Sequence, residues 1–363
     1  MVRARRARDG VRVASGGRRD DMSACVELGK LLDAARVERL RRAGALVLDV
    51  DDTLLARERA GSGGEETFKE SASAALLPEL LRRGFRVGLV TGHGWRQLEA
   101  RLVAPVVERL REMGDAAASV GRLSIYANRG ATKIVWDGKR HAVEEIYGER
   151  HQLRAADVAR LRGLLESLGA EFDADVRARR EWYGATFPRF DFAMLPARVD
   201  VREGAVLVLR PIPAQRHAGD GVRLNPRAEV YARGLELLRR ANLDGDYELA
   251  ESGRSSIEIT RRGVSKEAAL GDLLAEVAEA TGEAEATVEG AFVYVGDEFD
   301  AGGNDAVIPL VFPRALCLSV APRHGAREIL EGVVSLGRVA EMAGAEGTAA
   351  THVLLAHLLN LSA

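Results

Sequence analysis

Cysteine, lysine and long apolar runs are all scarce in this sequence. Two cysteines, Cys25 and Cys317, cannot build a disulfide framework and do not suggest a zinc site, so a reducing, cytoplasmic setting is expected. No apolar run approaches the ~18 residues of a membrane-spanning helix; the stretch from Val353 to Leu359 is broken by His357. An excess of either charge is also missing. Lys+Arg 52 against Asp+Glu 54 leaves a formal charge of −2. That balance argues against partners such as nucleic acid or an anionic membrane surface. Only five of the basic residues are lysines, namely Lys30, Lys69, Lys133, Lys139 and Lys266. A lysine retained in so arginine-rich a chain points to a place that needs a compact ammonium.

What is present is an ordinary globular composition, 47% hydrophobic and 29% charged over 363 residues, long enough for two domains. Residues 1–21 read as a disordered, Arg-rich tail. A helix is expected from Val26 to Arg42, followed by a continuous apolar run, Ala45 to Leu48, of the kind that forms a parallel strand buried on both faces. After a glycine-rich loop, Ala60 to Gly64, the sequence predicts a helix from Ser71 to Arg83, stopped at Gly84. A strand from Phe85 to Val90 comes next, then a helix from Trp95 to Met113 kinked at Pro105, then strands over Leu123–Asn128 and Lys133–Trp136. This rhythm predicts an α/β fold with a doubly wound parallel sheet.

The middle of the chain differs. An amphipathic helix is expected over Ala155–Leu168, an alternating strand over Arg189–Met194, further strands at Ala205–Leu209, Tyr247–Ala250 and Ser256–Thr260, and a helix opened by Asn225-Pro226. These form an inserted α+β layer. The α/β pattern then resumes, with a helix from Lys266 to Thr281, buried strands at Ala291–Val295 and Ala315–Val320, and closing helices over Arg327–Leu336 and Thr348–Leu361. The expected organisation is a core of residues 22–140 and 262–363 interrupted by an inserted domain at 141–261.

Four places carry chemistry. Asp49, Asp51 and Asp52 follow the first apolar strand, with Thr53 beside them. Carboxylates at the carboxyl end of a parallel strand lie where open α/β sheets bind ligands, and three so close repel one another unless a cation or a proton offsets them. Thr91 ends the second strand before Gly92, and such a hydroxyl with free N–H groups can hold phosphate oxygens. His93 comes next, in a loop where it either lines the pocket or is exposed. Lys266 opens a helix after Ser265, where its charge opposes the helix dipole and hints at a nearby anion. Asp297 follows another buried strand and leads into a loop bearing Asp300, Gly302, Gly303, Asn304 and Asp305.

In this order and at strand ends, the four motifs resemble those of the haloacid dehalogenase-like (HAD) hydrolases. Asp49, Asp51 and Thr53 match that family's Asp-x-Asp-x-Thr, Thr91 its second motif, Lys266 its third and Asp297 its Gly-Asp fourth. The resemblance covers about residues 40–345. The insert occupies the position of the larger, type-two α+β cap. The return from Ser256 to Lys266 is similar to that of sugar-phosphate phosphatases, and the ending Gly302-Gly303-Asn304-Asp305 to that of phosphomannomutases. Asn128 falls where these relatives carry an Asn-Gly turn, with Arg129 as a departure.

The resemblance implies a Rossmannoid core and a Mg²⁺-dependent phosphatase acting on a small phosphorylated metabolite, namely a sugar phosphate. Asp49 would be the nucleophile and Asp51 the general acid and base. Thr91 and Lys266 would hold the phosphoryl oxygens. Mg²⁺ would bind Asp49, the Asp51 carbonyl and Asp297, with Asp300, Asn304 and Asp305 as supporting or additional ligands. Thr53, Gly92 and Asn128 are substrate-binding candidates in the core, as are Arg189, Asp191 and Arg254 in the cap. The alternatives are a phosphomutase and a non-catalytic binding module of the same fold. The module would be expected to have lost Asp49, Asp51, Lys266 or Asp297, and all four are present.

Overall fold

Strand β1, Leu46–Leu48, is apolar throughout because both of its faces are covered. Leu46 and Leu48 pack with the helices Ala34–Ala43, Leu77–Arg82, Ala104–Glu112 and Thr348–Leu361. Val47 points the other way, into the layer that contains the helix Lys266–Thr281. The computed structural model describes residues 27–56, 65–136, 141–187, 192–210, 212, 226–252, 256–300, 303–321, 330–336 and 345–362. The Arg-rich tail, the Ala60–Gly64 loop, Gly302 and the cap candidates Arg189, Asp191 and Arg254 lie outside the described residues.

The remaining strands of the large sheet are β2 (Val87–Val90), β3 (Leu123–Ala127), β4 (Thr132–Trp136), β5 (His141–Val143), then β10 (Val293–Gly296), β11 (Leu316–Ser319) and β12 (Val333–Ser335). Their order is β12-β11-β10-β1-β2-β3-β4-β5. The strands from β12 to β3 run parallel, and β4 and β5 add antiparallel. β1 therefore lies between β10 and β2, where the chain order reverses. At that switch point the carboxyl ends of the strands open a crevice. A second, antiparallel sheet comprises β6 (Arg198–Arg202), β7 (Val206–Arg210), β8 (Tyr247–Ser252) and β9 (Ser256–Arg261), ordered β6-β7-β9-β8. One face buries Leu207, Leu209, Ile257 and Ile259 with the helix Ala155–Ala178. The other face carries Val206 and Val208 against Ala131 and Val264.

Several elements differ from the sequence expectation. The helix expected from Val26 to Arg42 is split into Leu28–Leu31 and Ala34–Ala43, because Asp33 caps the second segment by accepting from the Arg36 N–H at 2.7 Å. No break falls at Pro105; a π-turn at Glu99–Val103 precedes it and the helix Ala104–Glu112 carries the proline in its first turn. Phe192–Met194 forms a 3₁₀ turn rather than the end of a strand. The closing helix expected over Arg327–Leu336 is replaced, in its described part, by β12. Gly332 there has φ +87°, outside the helical region, and Val333-Val334 pair with Cys317 and Leu318. β5 and β6 were not anticipated. β5 lies inside the expected insert, yet it extends the large sheet. Among the described residues no helix is long and apolar enough to cross a membrane.

Candidate active site

The ends of β1 and β10 bring their acids together by main-chain pairing. The Asp49 N–H donates to the Val295 carbonyl at 2.9 Å, which places Asp49 and Asp297 side by side at the carboxyl ends of these two strands. One carboxylate oxygen each of Asp49, Asp297 and Asp305 lies within 4.8 Å of the others, and all three residues are buried. Asp305 is fully engaged. Its Oδ1 accepts from the Tyr294 hydroxyl at 2.7 Å and Lys266 Nζ at 2.9 Å, and its Oδ2 accepts from the Glu298 N–H at 3.0 Å. It fits against β10 because residue 296 is glycine; a Cβ there would stand 2.3 Å from Asp305 Oδ2. Asp297 Oδ1, by contrast, is buried without a hydrogen-bond partner among the described residues.

Lys266 neutralises part of this charge. It opens its helix behind the N-cap Ser265, whose side chain accepts from the Ala268 N–H at 3.2 Å. Its ammonium, 2% exposed, reaches Asp49 Oδ1 at 3.1 Å, Asp305 Oδ1 at 2.9 Å and Asn304 Oδ1 at 2.9 Å. Burial alone would favour neutral Lys266, but Asp305 and Asp49 outweigh it and hold the group above the ordinary lysine range. One ammonium does not balance the acids. Burial pushes Asp49 up to about 7; Lys266 opposes the rise, while Asp305 and Asp51 add to it. Asp297 is raised well above the usual carboxylate range, first by burial and then by Glu298 and Asp49. Hard oxygen donors, the unpartnered Asp297 oxygen and this mutual repulsion fit a divalent cation of the Mg²⁺ type.

A second wall forms where β2 meets the Asn128–Gly130 turn. Thr91 is buried. Its Oγ1 accepts from the His93 N–H at 3.1 Å and its carbonyl from the Arg129 N–H at 2.7 Å. The Asn128 N–H donates to the His93 carbonyl at 2.7 Å. Asn128, Arg129 and Gly130 all have positive φ, and a Cβ at Gly130 would stand 2.7 Å from the Ser265 carbonyl. The turn is thereby pressed against the residue that caps the Lys266 helix. Asp51 points its Oδ2 at His93 Nε2, 2.5 Å away. Thr53 is buried, with Oγ1 unpartnered among the described residues. Asp300 is half-buried and its carbonyl accepts from the Gly303 N–H at 2.8 Å.

The small sheet closes over this wall. In the β6–β7 turn, Glu203 accepts from the main-chain N–H groups of Trp95 (2.6 Å) and Arg96 (2.8 Å) and from Asn128 Nδ2 (3.0 Å). Arg202 donates to the Gly92 carbonyl at 2.8 Å. Glu258 on β9, 1% exposed, lies between Arg129 at 3.4 Å and Arg202 at 3.3 Å. Arg202, Glu203 and Glu258 were missed from the sequence. Glu258 sits between the inward Ile257 and Ile259, a position that reads as solvated. The only signal was the departure at Arg129, which turns out to be its partner. Asn128, expected to face substrate, gives Nδ2 to Glu203 and to Thr132 Oγ1. A separate cavity of about 360 Å³ opens beside Lys133, Tyr147, His151 and Asp272, and none of the clustered acids lines it.

No protein-family model and no curated protein matches the sequence. Solved structures do share its fold. N-terminally truncated IMP-nucleotidase of Plasmodium falciparum aligns with a TM-score of 0.51 at 12% identity, over 91% of this chain and 74% of that one. The truncated enzyme with IMP bound aligns with a TM-score of 0.50 at 13% identity, over 91% and 72%. The chain has the haloacid dehalogenase-like fold that its four motifs imply.

Proposed function

We propose that the chain is a Mg²⁺-dependent phosphoric monoester hydrolase acting on a small phosphorylated metabolite. The observation that carries this reading is the convergence of Asp49, Asp297 and Lys266 at adjoining strand ends, with Lys266 Nζ 3.1 Å from Asp49 Oδ1. A phosphate monoester is a dianion, and a carboxylate can attack it only where cationic groups offset the repulsion. Asp49, Asp297 and the Asp51 carbonyl would hold Mg²⁺, which when bound supplies charge neutralisation on the phosphoryl oxygens. Asp305, its oxygens already engaged, would instead anchor Lys266. Asn304 does the same through its Oδ1, and Asp300 belongs to the loop that carries them.

In the proposed sequence an Asp49 oxygen attacks phosphorus in line with the ester bond. That P–O bond breaks, and the leaving oxygen takes the proton held by Asp51. Asp51 then removes a proton from water, which displaces phosphate from the Asp49 aspartyl-phosphate and regenerates the carboxylate. Thr91, Lys266 and the N–H groups around Gly92 would hold the phosphoryl oxygens, and Thr53 would support the Asp51 strand end. The IMP-bound relative supports a phosphorylated metabolite as the substrate class. A sugar phosphate rests on the motif resemblance, with the cap residues Arg189, Asp191 and Arg254 as leaving-group contacts.

The test is phosphate release from a panel of sugar phosphates and nucleoside monophosphates, with and without Mg²⁺, by wild type and Asp49→Asn. Mg²⁺-dependent release is expected, with a loss of three orders of magnitude or more in the variant. Near wild-type turnover by Asp49→Asn would sink the mechanism. An isomeric phosphate ester in place of free phosphate would identify a mutase.

A further inference from the structure

His93 is used by none of these steps, yet its ring stands against the proposed acid–base group. Its Nε2 lies 2.5 Å from Asp51 Oδ2, and its Nδ1 lies 2.8 Å from Gln97 Oε1. The orientation of Gln97 is fixed by its other end. Nε2 of Gln97 donates to Glu65 Oε2 at 2.6 Å, and that same oxygen pairs with Arg101 at 3.0 Å. An ionised carboxylate only accepts, so the amide NH₂ faces Glu65 and the amide oxygen faces His93. Nδ1 of His93 thus faces the amide oxygen of Gln97, and Nε2 is turned to Asp51 Oδ2. The main chain fixes the ring from behind, since the His93 N–H is held by Thr91 Oγ1 and its carbonyl by the Asn128 N–H.

We infer that His93, oriented by Gln97, is a positioning residue for Asp51. It holds Oδ2 so that Oδ1 is the oxygen that exchanges the proton with the leaving group. This inference rests on the phosphatase reading above. Its consequence is selective. A leaving group that is stable as an anion needs no proton, whereas an alkoxide does. Loss of His93 should therefore lower kcat/KM, which reports the steps up to leaving-group departure, in proportion to leaving-group basicity. Hydrolysis of the aspartyl-phosphate, where Asp51 acts as base, is common to all esters and enters kcat alone.

The experiment measures kcat and KM for Mg²⁺-loaded, full-length protein on glycerol 2-phosphate, phenyl phosphate and p-nitrophenyl phosphate. His93→Ala is expected to lower kcat/KM about 10- to 100-fold on glycerol 2-phosphate. The fall in kcat/KM should be smaller on phenyl phosphate and at most about threefold on p-nitrophenyl phosphate. His93→Gln, which can place an amide group near the position of Nε2, should recover part of the loss. Gln97→Ala should reproduce the same ordering at smaller size, and it serves if His93→Ala fails to fold. Equal losses of kcat/KM on all three esters, or none, would overturn the inference. Asp49→Asn is assayed in parallel. Its inactivity on every ester keeps the phosphatase reading whatever His93 does, whereas retained activity would remove that reading itself.

Discussion

The core and the small sheet hold their carboxylates in opposite ways. In the core, Asp49, Asp297 and Asp305 are packed against one another around a single ammonium, and burial with mutual repulsion drives Asp49 and Asp297 toward the protonated form. In the small sheet, Glu258 is as deeply buried but sits between two guanidiniums, and Glu203 takes two main-chain N–H groups and an amide. One set is short of positive charge and the other is satisfied. A region short of positive charge is built to receive it. A satisfied one is built to stay where it is.

The largest effect that separates the two regions should come from the metal. EDTA is expected to abolish phosphate release and added Mg²⁺ to restore it. Asp297→Asn should cost about 100-fold or more at Mg²⁺ levels that saturate the wild type. A Mg²⁺ titration of kcat checks this. Indifference to chelator, or to Asp297→Asn, would break the comparison on the core side.

Metal-free protein should also show the imbalance as stability. A carboxyl that binds its proton more tightly folded than unfolded takes up protons on folding, so stability is lost as pH rises. For Asp49 the window runs from the ordinary carboxylate range to about 7. Thermal melts in chelator should therefore show wild type losing stability between pH 4 and about 7. Asp49→Asn should lose less over this window and be the more stable of the two at its upper end. Asp297 shifts in the same direction and remains in the variant, so the slope should shrink rather than vanish. Parallel curves for the two proteins would show that Asp49 carries no such penalty.

The core was legible because its positions are set locally. An apolar run followed by acids specifies a strand end, and parallel pairing of β1 with β10 does the rest. The scarcity of lysine pointed at Lys266, which is buried among the acids. It pointed equally at Lys133, also buried, which pairs with Asp272 at 2.9 Å and Glu144 at 3.3 Å and ties β4 to a core helix. A rare residue type thus marked demanding places without telling catalysis from packing. Three strands of the small sheet, β7, β8 and β9, were legible, but its contacts with the core were not, because they are long-range. Glu203 meets the Trp95 N–H 108 positions away, and Glu258 meets Arg129 129 positions away. Alternation along β9 placed Glu258 on the face away from the small sheet's own core, which is correct. It could not reveal that the core domain covers that face. β12 was missed because three residues behind a positive-φ glycine carry too little pattern to outweigh a helical reading.

The smallest effect, and the one that probes the small sheet, concerns Glu203. Its carboxylate serves the N–H groups at the start of the Trp95–Leu98 helix and steadies Asn128, so it works as a cap supplied from a different sheet. Removing a helix cap typically costs about 0.5–2 kcal/mol. Here that loss would fall on the contact between the two sheets rather than on either core. A small sheet joined to the core by two crossings can open as a hinged lid. Glu203→Ala should shift it toward open, raising KM about three- to tenfold for a metabolite that touches the small sheet. p-Nitrophenyl phosphate, which has little to offer those contacts, should be hydrolysed almost as before. Glu203→Gln keeps one acceptor oxygen and should fall between wild type and Ala. Hydrogen exchange at the Trp95 and Arg96 amides gives an independent readout, and it should quicken in Glu203→Ala. An unchanged KM with quickened exchange would mean that Glu203 only caps a helix. Unchanged exchange would mean that the two sheets are held together elsewhere, with the Arg129–Glu258–Arg202 cluster as the next place to look.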